Sequence, residues 1–226
     1  MTETLCNVGL MELGKRTVSF YKEEIFHQTT NHPKMACSLL MIPADFSVIN
    51  NYLPDQFDYL KPLVSEALQQ CIHAKVNTLI VPNITLHEAI EQVDLTLFSS
   101  IEIIHPVTET IRCLQAKKIK TITLIASKYS VLSSRLEQYF SQSNILVIRP
   151  NNEDIEQIDE IRKRTYLGQE TEHDKKNYNA LIKHYQQIAP AVIACTELSI
   201  LLDEEAICSV FDMARIQIQA AIVYPH

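Results

Sequence analysis

The sequence is poor in glycine. Its 226 residues include three, Gly9, Gly14 and Gly168, against an average usage of about 7%. Neither a G-x-G-x-x-G dinucleotide loop nor a G-x-x-x-x-G-K phosphate loop can be written from them. Nicotinamide, flavin and P-loop nucleotide chemistry are therefore not expected, and no cofactor is. Basic residues are in deficit: 20 Lys and Arg stand against 27 Asp and Glu, a net charge of −7. That balance argues against nucleic acid, whose affinity comes largely from cations on phosphates. No apolar run approaches the roughly 18 residues of a membrane span. The stretch Met1 to Leu10 contains Glu3 and no basic n-region, so no signal peptide is expected. Paired cysteines are missing as well. Cys6, Cys37, Cys71, Cys113, Cys195 and Cys208 fall singly, without a C-x-x-C. Neither a disulfide framework nor a structural zinc site is expected. Buried free thiols are the default for most of them, and a reducing, cytoplasmic setting is the expectation.

What is present reads as an ordinary globular chain, 46% apolar and 21% charged. A chain of this length buries roughly 70% of its unfolded surface. Short apolar runs alternate with amphipathic stretches. The runs predict strands at Leu5–Met11, Lys34–Ile42, Thr78–Val81, Ile101–Ile104, Thr121–Ala126, Ile145–Val147, Ala191–Ala194 and Ser209–Phe211. Helical spacing predicts helices over Arg16–Gln28, Tyr59–Ala74, Leu86–Val93, Val107–Lys117, Val131–Ser141, Glu153–Arg164, Thr171–Ile188, Leu198–Leu202 and Ala214–Val223. Alternating β and α elements imply an α/β fold with parallel sheets flanked by helices. Continuous apolar strands such as Ala-Val-Ile-Ala imply burial on both faces. The polar stretch Asn151 to Asp174 reads as exposed helix and loop. A rough repeat is visible: Thr78-Leu-Ile-Val and Ala191-Val-Ile-Ala each run into a polar turn and then a helix. The turns at Asn83 and Cys195 lie about half the chain apart, which suggests two similar α/β halves. Ligands in such sheets bind at the carboxyl ends of the strands.

These turns carry the candidate chemistry. Cys195 follows a buried strand and precedes a helix. A thiol there feels the positive end of the helix dipole, which predicts a lowered pKa; a packed strand-end cysteine is the plain alternative. Thr196 adds a hydroxyl and an N–H suited to a carboxylate. At the matching turn, Asn83, Thr85 and His87 stand together. Thr85 and Glu88 have the spacing of a capping box, and the same groups could bind a carboxylate. His87 alone reads as structural before catalytic. Ser127 and Ser130 either cap the next helix or meet a ligand, with the cap the simpler reading.

The same residues resemble the aspartate/glutamate racemase family. Ala-Cys195-Thr-Glu-Leu followed by Phe-Asp212-Met-Ala-Arg215-Ile-Gln resembles that family's Gly-Cys-Thr-Glu, then Phe-Asp-Thr-Thr and a helix beginning Arg-Ile-His. Pro-Asn83-Ile-Thr85-Leu-His87 is similar to its Cys-Asn-Thr-x-His, Pro43-Ala-Asp45-Phe46 to its Ser-Val-Asp-Phe, and Ala126-Ser127-x-x-Ser130 to its Gly-Thr-x-x-Thr. The resemblance implies two pseudo-symmetric halves, 1–105 completed by the C-terminal helix 212–226, and 106–211, with the active site in the cleft between them. It implies cofactor-independent inversion at the α-carbon of an amino acid by two cysteines. One thiolate removes the proton and the opposite thiol returns one.

This chain departs from that pattern at two places. The first cysteine falls on Asn83, whose amide is no base near neutral pH. The glycine-rich loop reads Gly9-Leu-Met-Glu-Leu-Gly14. Three readings follow. In the first, a racemase uses Cys195 with substrate-binding Asn83, Thr85, Ser127 and Thr196, and with His87 or Glu197 as a second acid/base or support. The second is a one-cysteine decarboxylase similar to the arylmalonate enzymes. The third is an inactive ligand-binding relative. The implied partner is a small acidic amino acid, and a homodimer fits the resemblance.

Overall fold

The structure, a computed structural model, describes residues 6–31 and 37–223. In chain order the elements begin with β1 (Cys6–Met11), α1 (Lys15–Asn31), β2 (Cys37–Ile42), α2 (Phe46–Tyr52), α3 (Phe57–His73), β3 (Thr78–Ile80) and α4 (Ile84–Ile90). A 3-10 turn (Leu95–Phe98), β4 (Glu102–Ile104), α5 (Pro106–Ala116), β5 (Thr121–Ala126), α6 (Lys128–Leu132) and α7 (Ser134–Gln142) follow. The chain closes with β6 (Leu146–Ile148), α8 (Asn152–Leu167), α9 (Glu172–Gln186), β7 (Ala191–Ala194), α10 (Thr196–Ile200), α11 (Glu204–Ser209), β8 (Phe211–Asp212) and α12 (Met213–Val223).

All eight expected strands form, and every ladder is parallel. They make two four-stranded sheets, ordered β2-β1-β3-β4 and β6-β5-β7-β8. The two sheets share one topology: the second strand lies to one side of the first, and the third and fourth lie to the other. The chain divides into two compact units. The first runs to His105 and resumes at Gln217; the second is Pro106–Ile216. The expected strand residues Leu5 and Lys34 to Ala36 lie outside the described residues.

In the first unit, Met11, Ile42, Leu79 and Val81 pack one sheet face against Leu60, Val64 and Leu68 of α3 and Leu86 of α4. Gly9 is needed there, because a Cβ would lie 2.9 Å from Val76 Cγ1. Gly14 sits at φ +82° under the Phe46 ring. Gln217 of α12 is fully buried and meets three partners within this unit. Its amide donates to Ile104 O at 2.7 Å and Val81 O at 3.2 Å, and accepts from Tyr21 OH at 2.8 Å. It thereby satisfies carbonyls at the carboxyl ends of β3 and β4, which the ladders leave open.

In the second unit, Ile125 and Ile193 pack against Ile158 and Ile161 of α8 and against Tyr178 and Ile182 of α9. The central strands β5 and β7 are buried on both faces, as their continuous apolar runs require, while Leu146 on the edge strand β6 is exposed. Tight caps set the helix ends here. Arg164 grips Asp174 with two bonds, Nε–Oδ2 3.0 Å and Nη2–Oδ1 2.6 Å, and Asp174 closes a capping box with Thr171. These bonds, led by that from Arg164, hold Asp174 at about 2.

Several expectations are corrected. The stretch 151–174 is not simply exposed: α8 buries Ile155, Ile158, Asp159, Ile161 and Thr165. The helix expected over Val131–Ser141 breaks at Ser133, whose ψ of 144° ends α6. Helices α2 and α11 were not expected from spacing. Both are short and begin at an Asp cap, Asp45 and Asp203, so capping chemistry and not periodicity announces them. Among the thiols, Cys71 is buried, but Cys208 is exposed and Cys113 half-buried.

Gln217→Leu should remove the side-chain donor to Ile104 O and the acceptor of the Tyr21 hydroxyl, while Val81 O keeps the Asn83 N–H and His87 Nε2, costing about 2–3 kcal/mol in urea unfolding. Asp174 ionises more readily folded than unfolded, so its stabilisation is complete above the unfolded carboxylate range. That contribution is lost as pH falls from about 4 through about 2. Asp174→Asn should flatten the acid limb of a stability–pH curve over that window.

Candidate functional site

The order 2-1-3-4 places a topological switch between the first and third strands of each sheet. Chain connections leave those two strands in opposite directions, opening a crevice at their carboxyl ends. In the first unit those ends carry Glu12 and Asn83. In the second they carry Ser127 and Cys195, neighbours by extension of the Ala126–Ala194 register.

Asn83 is the N-cap of α4. Its extended backbone (φ −153°, ψ 112°) lets Oδ1 accept the Leu86 N–H at 2.9 Å. This corrects the capping box expected at Thr85. The helix starts two residues earlier, because Asn is the stronger cap and already has extended geometry. Thr85 lies in the first turn, half-buried. His87 points inward and is 1% exposed. Its Nε2 lies 3.2 Å from Val81 O, while Nδ1 is buried without a partner among the described residues. A carbonyl partner fixes the tautomer as Nε2–H. Burial first, then the neighbouring His105 ring at 4.6 Å, lowers the His87 pKa to about 3. His87 is therefore a neutral imidazole at any physiological pH. His105 in turn pairs with Glu91 at 3.2 Å.

In the second unit Ser127 caps α6, accepting the Ser130 N–H at 3.2 Å and bonding its hydroxyl at 2.9 Å. Cys195 stands at the start of α10 with extended backbone (φ −160°, ψ 127°). Its thiol donates to Glu197 Oε2 at 3.0 Å. The residue retains some surface, yet the sulfur lies in dense surroundings. Burial, the Glu197 charge and the bond to Glu197 push its pKa well up; Arg162 and the Leu198 N–H only partly oppose them. This overturns the expected lowering. A five-residue helix supplies little dipole, and the nearest full charge is negative. Cys195 rests as a thiol. Thr196, half-buried, is the first residue of α10.

Behind this turn lies a buried polar network. Ser199 Oγ donates to Asp212 Oδ1 at 2.7 Å, and the Ala214 N–H donates to the same oxygen at 3.0 Å. Arg215 Nη1 pairs with Asp212 Oδ2 at 2.5 Å. Burial raises the Asp212 pKa and these bonds restrain the rise. The family-like Asp212 and Arg215 thus brace the Cys195 turn from within.

The sequence reading missed Arg162. It bonds Asp159 at 2.8 Å, and Asp159 also accepts the Lys128 N–H at 3.0 Å, next to Ser127. Burial would depress the Arg162 pKa, but Asp159 and then Cys195 and Glu197 outweigh it and raise it. One residue pair on α8 thus serves both turns. The spacing Ile155, Ile158, Asp159, Arg162 was the available signal, since it sets a charged pair on an apolar stripe. Among the described residues no group of three or more His, Cys, Asp or Glu side chains could hold a metal ion, and no helix is long and apolar enough to cross a membrane.

Neither a protein-family profile nor a curated protein matches the sequence. Solved structures do. A Yersinia pestis protein classed as an Asp/Glu racemase superposes with a TM-score of 0.80 at 21% identity, over 97% of this chain and 99% of that one. The aspartate racemase of Picrophilus torridus gives 0.78 at 14% identity, over 96% and 93%. A glutamate racemase from Bacillus anthracis gives 0.61 at 15% identity, over 96% and 80%. The chain has the two-unit α/β fold of the aspartate/glutamate racemases.

A thiol held protonated should resist alkylation. Iodoacetamide should label Cys195 slowly at pH 8, and Glu197→Gln should accelerate labelling several-fold by removing the adjacent negative charge. Peptide mass spectrometry would resolve it from the other five cysteines.

Proposed function

We propose that this chain is a cofactor-independent amino-acid racemase or epimerase, transferring protons at the α-carbon with Cys195 as one acid/base. The observation that carries the reading is the Cys195 thiol, hydrogen-bonded to Glu197 at the switch point of its sheet. The fold shared with aspartate and glutamate racemases supports it. Inversion needs an acid on one face of the α-carbon and a base on the other, each within hydrogen-bond reach. A resting thiol is the acid. It delivers its proton to the carbanion, and the thiolate left behind has Arg162 as its nearest counter-charge.

Asn83, Thr85, Ser127 and Thr196 are assigned to substrate binding. Asn83 spends its carbonyl oxygen on the helix cap, which leaves the amide N–H groups as its donors. Glu197 is assigned to Cys195, as acceptor of its proton bond. His87 receives a supporting role only: a buried imidazole with a pKa of about 3 takes no proton at neutral pH. A small acidic amino acid is the favoured substrate class. Arg162 engages Asp159 through Nε, and its positive charge acts on Cys195 and Glu197, which favours an anionic substrate. A homodimer and a cytoplasmic setting belong to the same reading. A second reading is a decarboxylase of the arylmalonate type. Loss of the first cysteine together with a protonated Cys195 favours it, because that reaction asks only for a proton donor.

In D₂O with single enantiomers of aspartate, glutamate and a wider panel, deuterium should enter the α-position with inversion. Proton NMR and chiral chromatography would follow both. Cys195→Ala should lower the rate by at least about 100-fold, and Asn83→Cys should raise inversion. Carbon dioxide release from an arylmalonate without α-exchange in any amino acid would decide for the decarboxylase.

A further inference from the structure

The ion pairs of α8 are of two kinds. Lys128–Glu156 and Lys163–Glu160 lie in solvent, with every partner at least 44% exposed. Pairs of that kind contribute little. Asp159 differs: its side chain is 7% exposed, and that of Arg162 beside it 23%. A carboxylate taken that far out of water destabilises the fold unless donors satisfy it. Three donors do so. Arg162 Nε bonds Oδ1 at 2.8 Å, the Lys128 N–H bonds the same oxygen at 3.0 Å, and Lys163 Nζ stands 3.2 Å from Oδ2. Burial would raise the Asp159 pKa, but Arg162, the Lys128 N–H and Lys163 outweigh it and hold the carboxylate ionised.

The two donors on Oδ1 serve different turns of the second unit. Lys128 opens α6, and its N–H is a first-turn donor with no partner inside the helix. Ser127 caps the Ser130 N–H of that turn, and Asp159 caps the Lys128 N–H from outside. Arg162 belongs to the other turn. Its helix packs on α10, where Ile158 and Ile161 share a core cluster with Leu198 and Leu201, and its charge acts on Cys195 and Glu197. The other groups that face the sulfur carry no positive charge. Glu197 accepts the thiol proton at 3.0 Å. Tyr178 of α9 is fully buried and kept neutral by that burial and by the charges of Asp212 and Cys195. Asp212 of β8 is paired with Arg215. A thiolate at Cys195 therefore depends on Arg162, whose long side chain has water within reach unless something holds it. Asp159 is what holds it.

We propose that Asp159 is a positioning residue for Cys195: one carboxylate oxygen ties the Ser127 turn to the Arg162 guanidinium, so that the cation stands beside the sulfur when the sulfur gives up its proton. Asp159 touches no reacting atom and reaches the thiol through Arg162. The part this plays in turnover rests on the racemase reading. There the Cys195 S–H bond breaks, its electron pair stays on sulfur, and the proton forms the new C–H bond on the substrate carbanion. Glu197 opposes the charge left on sulfur and Arg162 offsets it. The same oxygen fixes the backbone beside Ser127, so the turn assigned to substrate binding and the cation of the acid/base share one anchor.

The test is the pH profile of iodoacetamide labelling at Cys195, read by peptide mass spectrometry in the Glu197→Gln background, where removal of the carboxylate brings the thiol to a lower pH. The pH of half-maximal labelling follows ionisation and is not moved by access to the sulfur. Asp159→Ala should raise it by at least about 0.5, a threefold loss of thiolate at fixed pH. Arg162→Gln should raise it as much or more, and Asp159→Ala added to Arg162→Gln should shift it no further. Hydrogen exchange at the Lys128 amide should quicken at least about 10-fold in Asp159→Ala and stay unchanged in Arg162→Gln. If Asp159→Ala does not fold, Asp159→Asn, which keeps an acceptor for the Lys128 N–H, is read against the same labelling criteria. A profile that stays in place, moves down, or moves equally with and without Arg162 overturns the proposal. A quickened Lys128 amide with an unmoved profile makes Asp159 a helix cap alone and overturns it too. Labelling needs no turnover, so a wild type that exchanges no α-hydrogen of aspartate or glutamate in D₂O overturns the racemase reading, while the profile still decides for or against Asp159.

Discussion

Parallel pairing is the constraint from which the rest follows. Adjacent parallel strands cannot be joined by a tight turn, so each crossover returns the chain through a helix to the starting edge. All eight strands obey this rule. Every strand-to-helix turn of a unit therefore opens at one edge of its sheet, and both sheet faces are covered. Covered faces exclude polar side chains from the central strands. Exceptions remain: Asn7 in β1, Thr78 in β3, and Thr121 and Thr123 in β5 are polar, and the Thr123 hydroxyl is buried without a partner among the described residues. Chemistry is confined to the first residues after each strand, where Glu12, Asn83, Ser127 and Cys195 stand.

The two units use those positions differently. In the second, charge is concentrated beneath the turn: Glu197 against the thiol, Arg162 beside both, and the Asp212–Arg215 pair behind Ser199. A buried ion pair offsets its desolvation only when its remaining lone pairs are satisfied, and Asp212 meets that condition with Ser199 and the Ala214 N–H. In the first unit the corresponding ground is less densely charged, with Glu91 paired to His105 at 3.2 Å. Gln217 replaces charge with an amide that joins Tyr21 to two strand-end carbonyls, and His87 is held uncharged. A thiol whose pKa is raised by burial and by Glu197 fits the ground of the second unit.

How much of this was legible depended on the range of the interaction that decides each feature. The eight strands were legible because central-strand burial writes itself as a continuous apolar run. Asn83 and Cys195 were legible as turn residues because a strand ends and a helix begins there. The cap at Asn83 was misassigned to Thr85 because both residues have capping chemistry and the extended backbone at Asn83 decides between them. The Cys195 pKa was misjudged in direction because the helix dipole was read locally, while burial and the Glu197 side-chain geometry govern it. Arg162 was passed over because its polar neighbours hide the apolar stripe that sets it inward.

The sequence by itself determined the α/β alternation and the turns at which reactive side chains stand. These follow from periodicity and turn chemistry, which act over a few residues. Tertiary structure alone decided that eight strands form two sheets of one order and that Glu12 and Asn83 share a switch point. It also decided that α8 brings a cation to Cys195, and that the thiol keeps its proton. Those outcomes depend on groups far apart in the chain, and on burial that strengthens their fields, and neither exists until the crossovers have closed.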